Sequence, residues 1–106
     1  LKMGKRDNIK KLVNLLVKSL AHRIGSIVNK EEIYAPKYAK EADNFFELAK
    51  DISEQENWNM QDKITIKGEL QRKLRKELEQ KEFLDNKKFD LMEEKINKAL
   101  KLLNLI

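Results

Sequence analysis

The sequence contains no cysteine, only one proline and three glycines, and a single histidine. Without cysteine the chain has no disulfide and no thiolate metal site, and we expect it in the reducing cytoplasm. With so few prolines and glycines, little interrupts regular structure. No apolar run approaches about 18 residues, so no membrane-spanning helix is expected. No membrane partner is expected either, because the third and fourth predicted helices carry too many acids for an anionic bilayer.

The chain has 106 residues, of which 41% are hydrophobic and 39% are charged. This length is typical of one domain, and this composition is typical of strongly amphipathic helices. We therefore predict a single all-α domain over residues 1–106, a compact bundle of about four helices. Its first six residues are expected to form a disordered basic tail.

Apolar residues recur at steps of three and four along most of the chain, which is the period of an amphipathic helix. The pattern predicts four largely antiparallel helices, at residues 8–28, 36–55, 60–82 and 86–105. The apolar arc of the first is wide, which indicates a central helix that forms the core with the fourth. The third has a narrow apolar stripe and is expected at the periphery. Within it, polar and apolar side chains alternate over residues 63–67, as they would in a strand. A lone five-residue strand without a partner is unfavourable, so this segment is interpreted as the first turns of the helix.

Charge is divided unevenly along the chain. Residues 1–30 hold eight bases and one acid, residues 31–62 hold nine acids and three bases, and residues 63–106 hold twelve bases and eight acids. Such a basic–acidic–basic order either steers a polyanion to one face or pairs one helix with its neighbour.

Two basic clusters make nucleic-acid binding the alternative function, because phosphate contacts need cations gathered on one face. The candidate residues are Lys5, Arg6, Lys10 and Lys11 near the amino end, and Lys63, Lys67, Arg72, Arg75 and Lys76 on the third helix. The competing interpretation is a solvated helix face, since acids such as Glu69 and Glu77 are interleaved with these bases.

No catalytic constellation is evident, so we expect a non-enzymatic protein without a cofactor. His22 has no second histidine to pair with and lies on a polar stripe, which predicts an exposed surface residue. Asp43, Glu47, Asp51 and Glu54 recur at helical spacing and form an acidic ridge. That ridge is interpreted as a solvated face or as a partner for a basic neighbour, with a divalent-cation site as the alternative.

The carboxy-terminal segment is apolar on nearly all sides, which exceeds what one buried stripe requires. Three leucines fall off the heptad seam of the fourth helix and predict a second packing surface: Leu91, Leu102 and Leu105. The sequence therefore favours a non-enzymatic interaction or assembly protein that forms a homo-oligomer or binds a protein partner.

Overall fold

The computed structural model describes residues 4–106, and every regular element in that range is a helix. The elements are α1 (Lys5–Val28), α2 (Ala35–Ser53), α3 (Met60–Gln80), the single turn α4 (Lys87–Asp90) and α5 (Met92–Leu102). The prediction of an all-α bundle of about four helices is confirmed. The predicted fourth helix is interrupted at Leu91, which separates α4 from α5.

Helix α1 begins at Lys5, earlier than predicted. Gly4 caps it in an extended conformation without a side-chain hydrogen bond, and Asp7 places a negative charge in the first turn, where the helix dipole favours it. The Lys5 ammonium also lies 2.7 Å from the Asp62 carboxylate at the start of α3. The segment expected as a tail is thus helical from Lys5 onward, and residues 1–3 lie outside the described residues.

Helix α3 begins at the predicted residue because its first turn is capped from both sides. The Asn59 side chain accepts a hydrogen bond from the Asp62 backbone N–H at 2.8 Å, and the Asp62 carboxylate accepts one from the Asn59 N–H at 3.0 Å. This reciprocal pair satisfies two amides that the helix itself leaves without partners.

Helix α5 ends at Leu102, three residues before the predicted end, because the chain reverses at Asn104. Asn104 adopts a left-handed backbone conformation (φ 58°), which asparagine tolerates better than most residues. Its N–H donates to the Lys101 carbonyl at 3.0 Å, and the Leu105 N–H donates to the Leu100 carbonyl at 2.8 Å. These two bonds form a Schellman motif, in which the residue after the turn packs back on the helix.

The helices of the bundle run in alternating directions. Helix α2 is antiparallel to α1, because Ser19 contacts Ala42 and Arg23 contacts Ala39. Helix α3 returns parallel to α1, and α5 is antiparallel to α3. Among the helices α2 packs only against α1, whereas α1 also contacts α3, α4 and α5.

The core lies where α1, α3 and α5 meet, with α2 covering one further side of α1. The central position predicted for α1 is confirmed by its contacts with every other helix. The peripheral position predicted for α3 is wrong. Its narrow stripe is fully buried because every fourth residue inserts between α1 and α5; these residues are Ile66, Leu70, Leu74 and Leu78.

Close packing joins α1 to α2. The position that a Cβ would occupy on Gly25 lies 3.0 Å from Cδ2 of Tyr38, so a larger residue would displace that ring. Two turns earlier, the buried Ser19 hydroxyl donates to the Ala42 carbonyl at 2.8 Å. Small side chains on α1 therefore determine how near α2 approaches.

Candidate functional site

An apolar groove lies between α2 and α5, which flank α1 without contacting each other. Its volume is about 340 Å³, and α1 forms its floor. The apolar lining comes from all three helices: Leu20, Ala42, Phe46, Ala99 and Leu102. Ser19, Arg23, Asp43, Lys95 and Lys98 complete the lining.

The three predicted interface leucines have different surroundings. Leu102 lies in the α5 wall of the groove and remains 62% exposed. Leu91 is half-buried and packs against the core. The prediction that Leu105 faces outward is wrong: it is 1% exposed, because the turn at Asn104 folds it back onto the core. The asparagine followed by a leucine was the available sequence signal for this turn.

The two walls of the groove differ in charge. The α5 wall carries Lys95 and Lys98. The α2 wall carries Asp43, which accepts a hydrogen bond from Arg23 on the floor. Asp43 begins the predicted acidic ridge, whose other members Glu47, Asp51 and Glu54 are all exposed and form no ion pair within residues 4–106.

A second groove lies between α1 and α3, on a different side of α1. Its volume is about 460 Å³, and its lining is mostly polar: Asn14, Val17, Lys18, Arg72, Lys73, Lys76, Glu77 and Gln80. A hydrogen bond of 3.5 Å from Lys73 Nζ to Asn14 Oδ1 joins the two walls. Both walls supply cations, and four bases face one carboxylate.

The structure divides the predicted basic residues among several places. Arg72 and Lys76 line the α1/α3 groove. The Arg75 guanidinium instead lies 5.4 Å from the Phe89 ring centroid, toward α4. Lys63 and Lys67 are half-buried on α3, and Lys5 is paired with Asp62. The remaining amino-terminal candidates are exposed on α1: Arg6, Lys10 and Lys11. Lys18 also lines this groove but was not among the predicted binding residues, because the sequence around it does not indicate that α3 packs beside α1.

Hydrogen bonds lower the pKa of two carboxyl groups on α3, those of Asp62 and Glu69. The Lys5 ammonium holds the pKa of Asp62 below its usual value, aided by the Asn59 N–H. The Arg72 guanidinium, 2.7 Å from Glu69, lowers the pKa of that carboxyl. Lys5 and Arg72 are therefore already engaged within the fold.

His22 is half-buried rather than exposed as predicted. Its ring lies between the Tyr38 and Phe45 rings, with centroid separations of 5.0 and 5.4 Å. Nδ1 is 2.7 Å from the Lys18 carbonyl oxygen, and Nε2 is 3.0 Å from Glu41 Oε2. The ring therefore links α1 to α2.

Among residues 4–106, no three His, Asp or Glu side chains converge as a metal site requires. In the same range, no helix combines the length and apolar composition needed to cross a bilayer. Comparisons of the chain with protein-family models, with curated protein sequences and with solved structures give no match.

Proposed function

We propose that the protein is a non-enzymatic helical assembly module that pairs with a second copy of itself through the α2/α5 groove. The observation that carries the proposal is the exposure of Leu102 in a groove whose lining also includes the apolar side chains of Leu20, Ala42, Phe46 and Ala99. The proposal involves no catalytic step and no cofactor, and we expect the pairing in the cytoplasm.

Burial of apolar surface supplies the driving force. Fully burying a leucine is favourable by roughly 1.5–3 kcal/mol relative to leaving it in water. In a symmetric pair each copy contributes the same patch, so the gain at Leu102 is made twice. The half-buried Phe46 on the opposite wall offers Leu102 of the second copy an apolar surface.

The different charges of the two walls favour one arrangement of the pair. If the twofold axis runs along the groove, α5 of each copy faces α2 of the other. Lys98 and Lys95 then approach the acidic ridge that starts at Asp43 and continues at Glu47. An axis across the groove would instead bring acidic ridge to acidic ridge, which is repulsive.

The size of the bundle is sufficient for such a pair. A stable specific interface buries about 800 Å² per partner. The described bundle measures 43 × 22 × 21 Å, and the groove opens on the side where α2 and α5 flank α1. One long side can therefore supply an interface of the usual size without rearrangement.

Sedimentation velocity at increasing protein concentration tests the pairing. We expect wild-type dimers at micromolar concentrations and a folded monomer for Leu102→Glu. Leu48→Glu is the matched control, since Leu48 is 52% exposed on α2 but does not line the groove, and this variant should still dimerise. A wild-type monomer at high micromolar concentration would refute self-association.

A charge exchange tests the orientation of the twofold axis. Lys98→Glu alone should weaken the dimer, because it places a carboxylate opposite the ridge. Adding Glu47→Lys to that variant should restore part of the affinity. Both effects should diminish with added salt, which screens exposed charges. A double variant weaker than either single variant would contradict this arrangement.

A further inference from the structure

The α1/α3 groove places cations on two parallel helices. Lys18 projects from α1, while Lys73 and Lys76 project from α3 on the facing side. The contact between Lys73 and Asn14 shows which turns of α1 and α3 lie side by side. Lys11 occupies the same side of α1 as Lys18, two turns earlier. With the helices aligned in this way, Lys18, Lys73 and Lys76 lie within roughly one helical turn of one another along the bundle, on the two walls of the groove.

Most of the positive charge in this groove has no carboxylate partner. Arg72 pairs with Glu69, and the lining Glu77 lies 3.5 Å from Lys81. Within residues 4–106, Lys18, Lys73 and Lys76 form no ion pair. On the other side of α1, Asp43 of the acidic ridge pairs with Arg23 and not with these lysines. These lysines therefore remain available to an external anion.

We propose that the α1/α3 groove binds the phosphodiester backbone of a nucleic acid. A polyanionic strand matches cations presented from two walls of one groove, and Asn14 and Gln80 add hydrogen-bonding groups to its lining. Lysine contacts of this kind position a backbone but do not read bases. Binding should consequently depend on charge and salt, with little dependence on base sequence.

The groove geometry favours a strand-like anion over a bilayer. A flat anionic membrane would reach the rims of a recess before its floor, whereas a strand fits along it. Lys18 also lies 5.7 Å from the Phe45 ring centroid, and the same ring packs against His22, so Phe45 is engaged within the fold and adds no stacking surface for a base.

Fluorescence anisotropy with labelled oligonucleotides tests the proposal. The probes are a single strand and a duplex of about 20 nucleotides or base pairs, titrated at several salt concentrations. Three lysine contacts predict a slope of log affinity against log salt of roughly −2 to −3. No binding at about 20 mM salt, where electrostatic attraction is strongest, would overturn the proposal.

Two triple variants with the same loss of charge locate the site. Lys18→Gln with Lys73→Gln and Lys76→Gln should reduce affinity at low salt at least about tenfold and remove most of the salt slope. Lys63→Gln with Lys67→Gln and Arg75→Gln should reduce it less than about threefold, because these residues lie outside the groove. Equal losses in the two variants would overturn the assignment to this groove.

Two further measurements separate the alternatives. Vesicles containing phosphatidylserine, offered to wild-type protein in place of the oligonucleotide, should not bind; binding to vesicles alone would overturn the nucleic-acid assignment. The monomeric Leu102→Glu variant should bind the oligonucleotide per chain as wild type does. Loss of binding in that variant would show that the α1/α3 groove does not act independently of self-association.

Discussion

His22 Nε2 lies 3.0 Å from Glu41 Oε2 and thereby joins the middle of α1 to α2. The same ring packs against Tyr38 and Phe45 of α2, and its Nδ1 contacts the Lys18 carbonyl. From its polar stripe alone His22 was expected on the surface, where substitution costs little. Its contacts instead indicate that it stabilises the α1–α2 interface.

We therefore expect His22→Ala to reduce the free energy of unfolding by about 1–2 kcal/mol, since it removes both ring packing and a hydrogen bond. Urea denaturation followed by circular dichroism measures this difference. Glu41→Gln is the milder comparison, because it keeps the side-chain shape and loses only the charge. A His22→Ala variant as stable as wild type would mean that these contacts contribute nothing.

Leu70 tests the position of α3 in the core. Leu70→Ala should lower the free energy of unfolding by about 2–5 kcal/mol, because it leaves a cavity among α1, α3 and α5. Ile64→Ala on the same helix should change it by no more than about 0.5 kcal/mol, since Ile64 is 59% exposed. Similar small effects of the two substitutions in chemical denaturation would contradict the buried position of α3.

Asn104 tests the turn that closes α5. Asn104→Val should destabilise the protein by about 1–2 kcal/mol, because a β-branched residue fits poorly in the left-handed conformation. Asn104→Gly should preserve stability, since glycine adopts that conformation without steric cost. Thermal unfolding of both variants measures the contrast, and equal melting temperatures would exclude the turn described here.

Asp62 makes stability depend on acidity. Because its pKa is lowered in the folded chain, its contacts with Lys5 and the Asn59 N–H stabilise the protein above the usual carboxyl range. That contribution is lost as the pH falls through the lowered pKa. The difference in unfolding midpoint between wild type and Asp62→Asn should therefore be largest near pH 7 and shrink below about pH 4.

Asp51→Asn is the control for that measurement, since Asp51 is exposed and forms no ion pair in the described range. Its unfolding midpoint should follow wild type across the same pH series. A gap between wild type and Asp62→Asn that persists unchanged at pH 2 would contradict the proposed ionic contribution.

The helical period was enough to predict the fold class and the central position of α1, because both depend on local apolar spacing. The burial of α3 was not predictable in this way. A stripe one residue wide gives no indication of whether it faces one neighbour or is inserted between two. The same is true of Leu105, whose direction depends on a backbone reversal at Asn104 rather than on helical phase.

The grooves were less accessible to sequence reasoning than the helices. Leu102 was identified as an excess apolar residue, but its neighbour across the groove, Phe46, belongs to a helix that never contacts α5. Lys18 and Lys76 are likewise far apart in the chain and approach only because α3 runs parallel to α1. Such juxtapositions follow from tertiary packing, which single-sequence periodicity does not encode.

The attachment of α2 to a single neighbour has a consequence for dynamics. Because α2 is held by α1 alone, it can separate while α1, α3 and α5 keep their mutual contacts. Backbone amides of α2 should therefore exchange with deuterated solvent at a lower opening free energy than those in the middle of α3. An opened α2 exposes the surface of α1 that it had covered, and a second chain can supply its own α2 there, the elementary step of domain swapping.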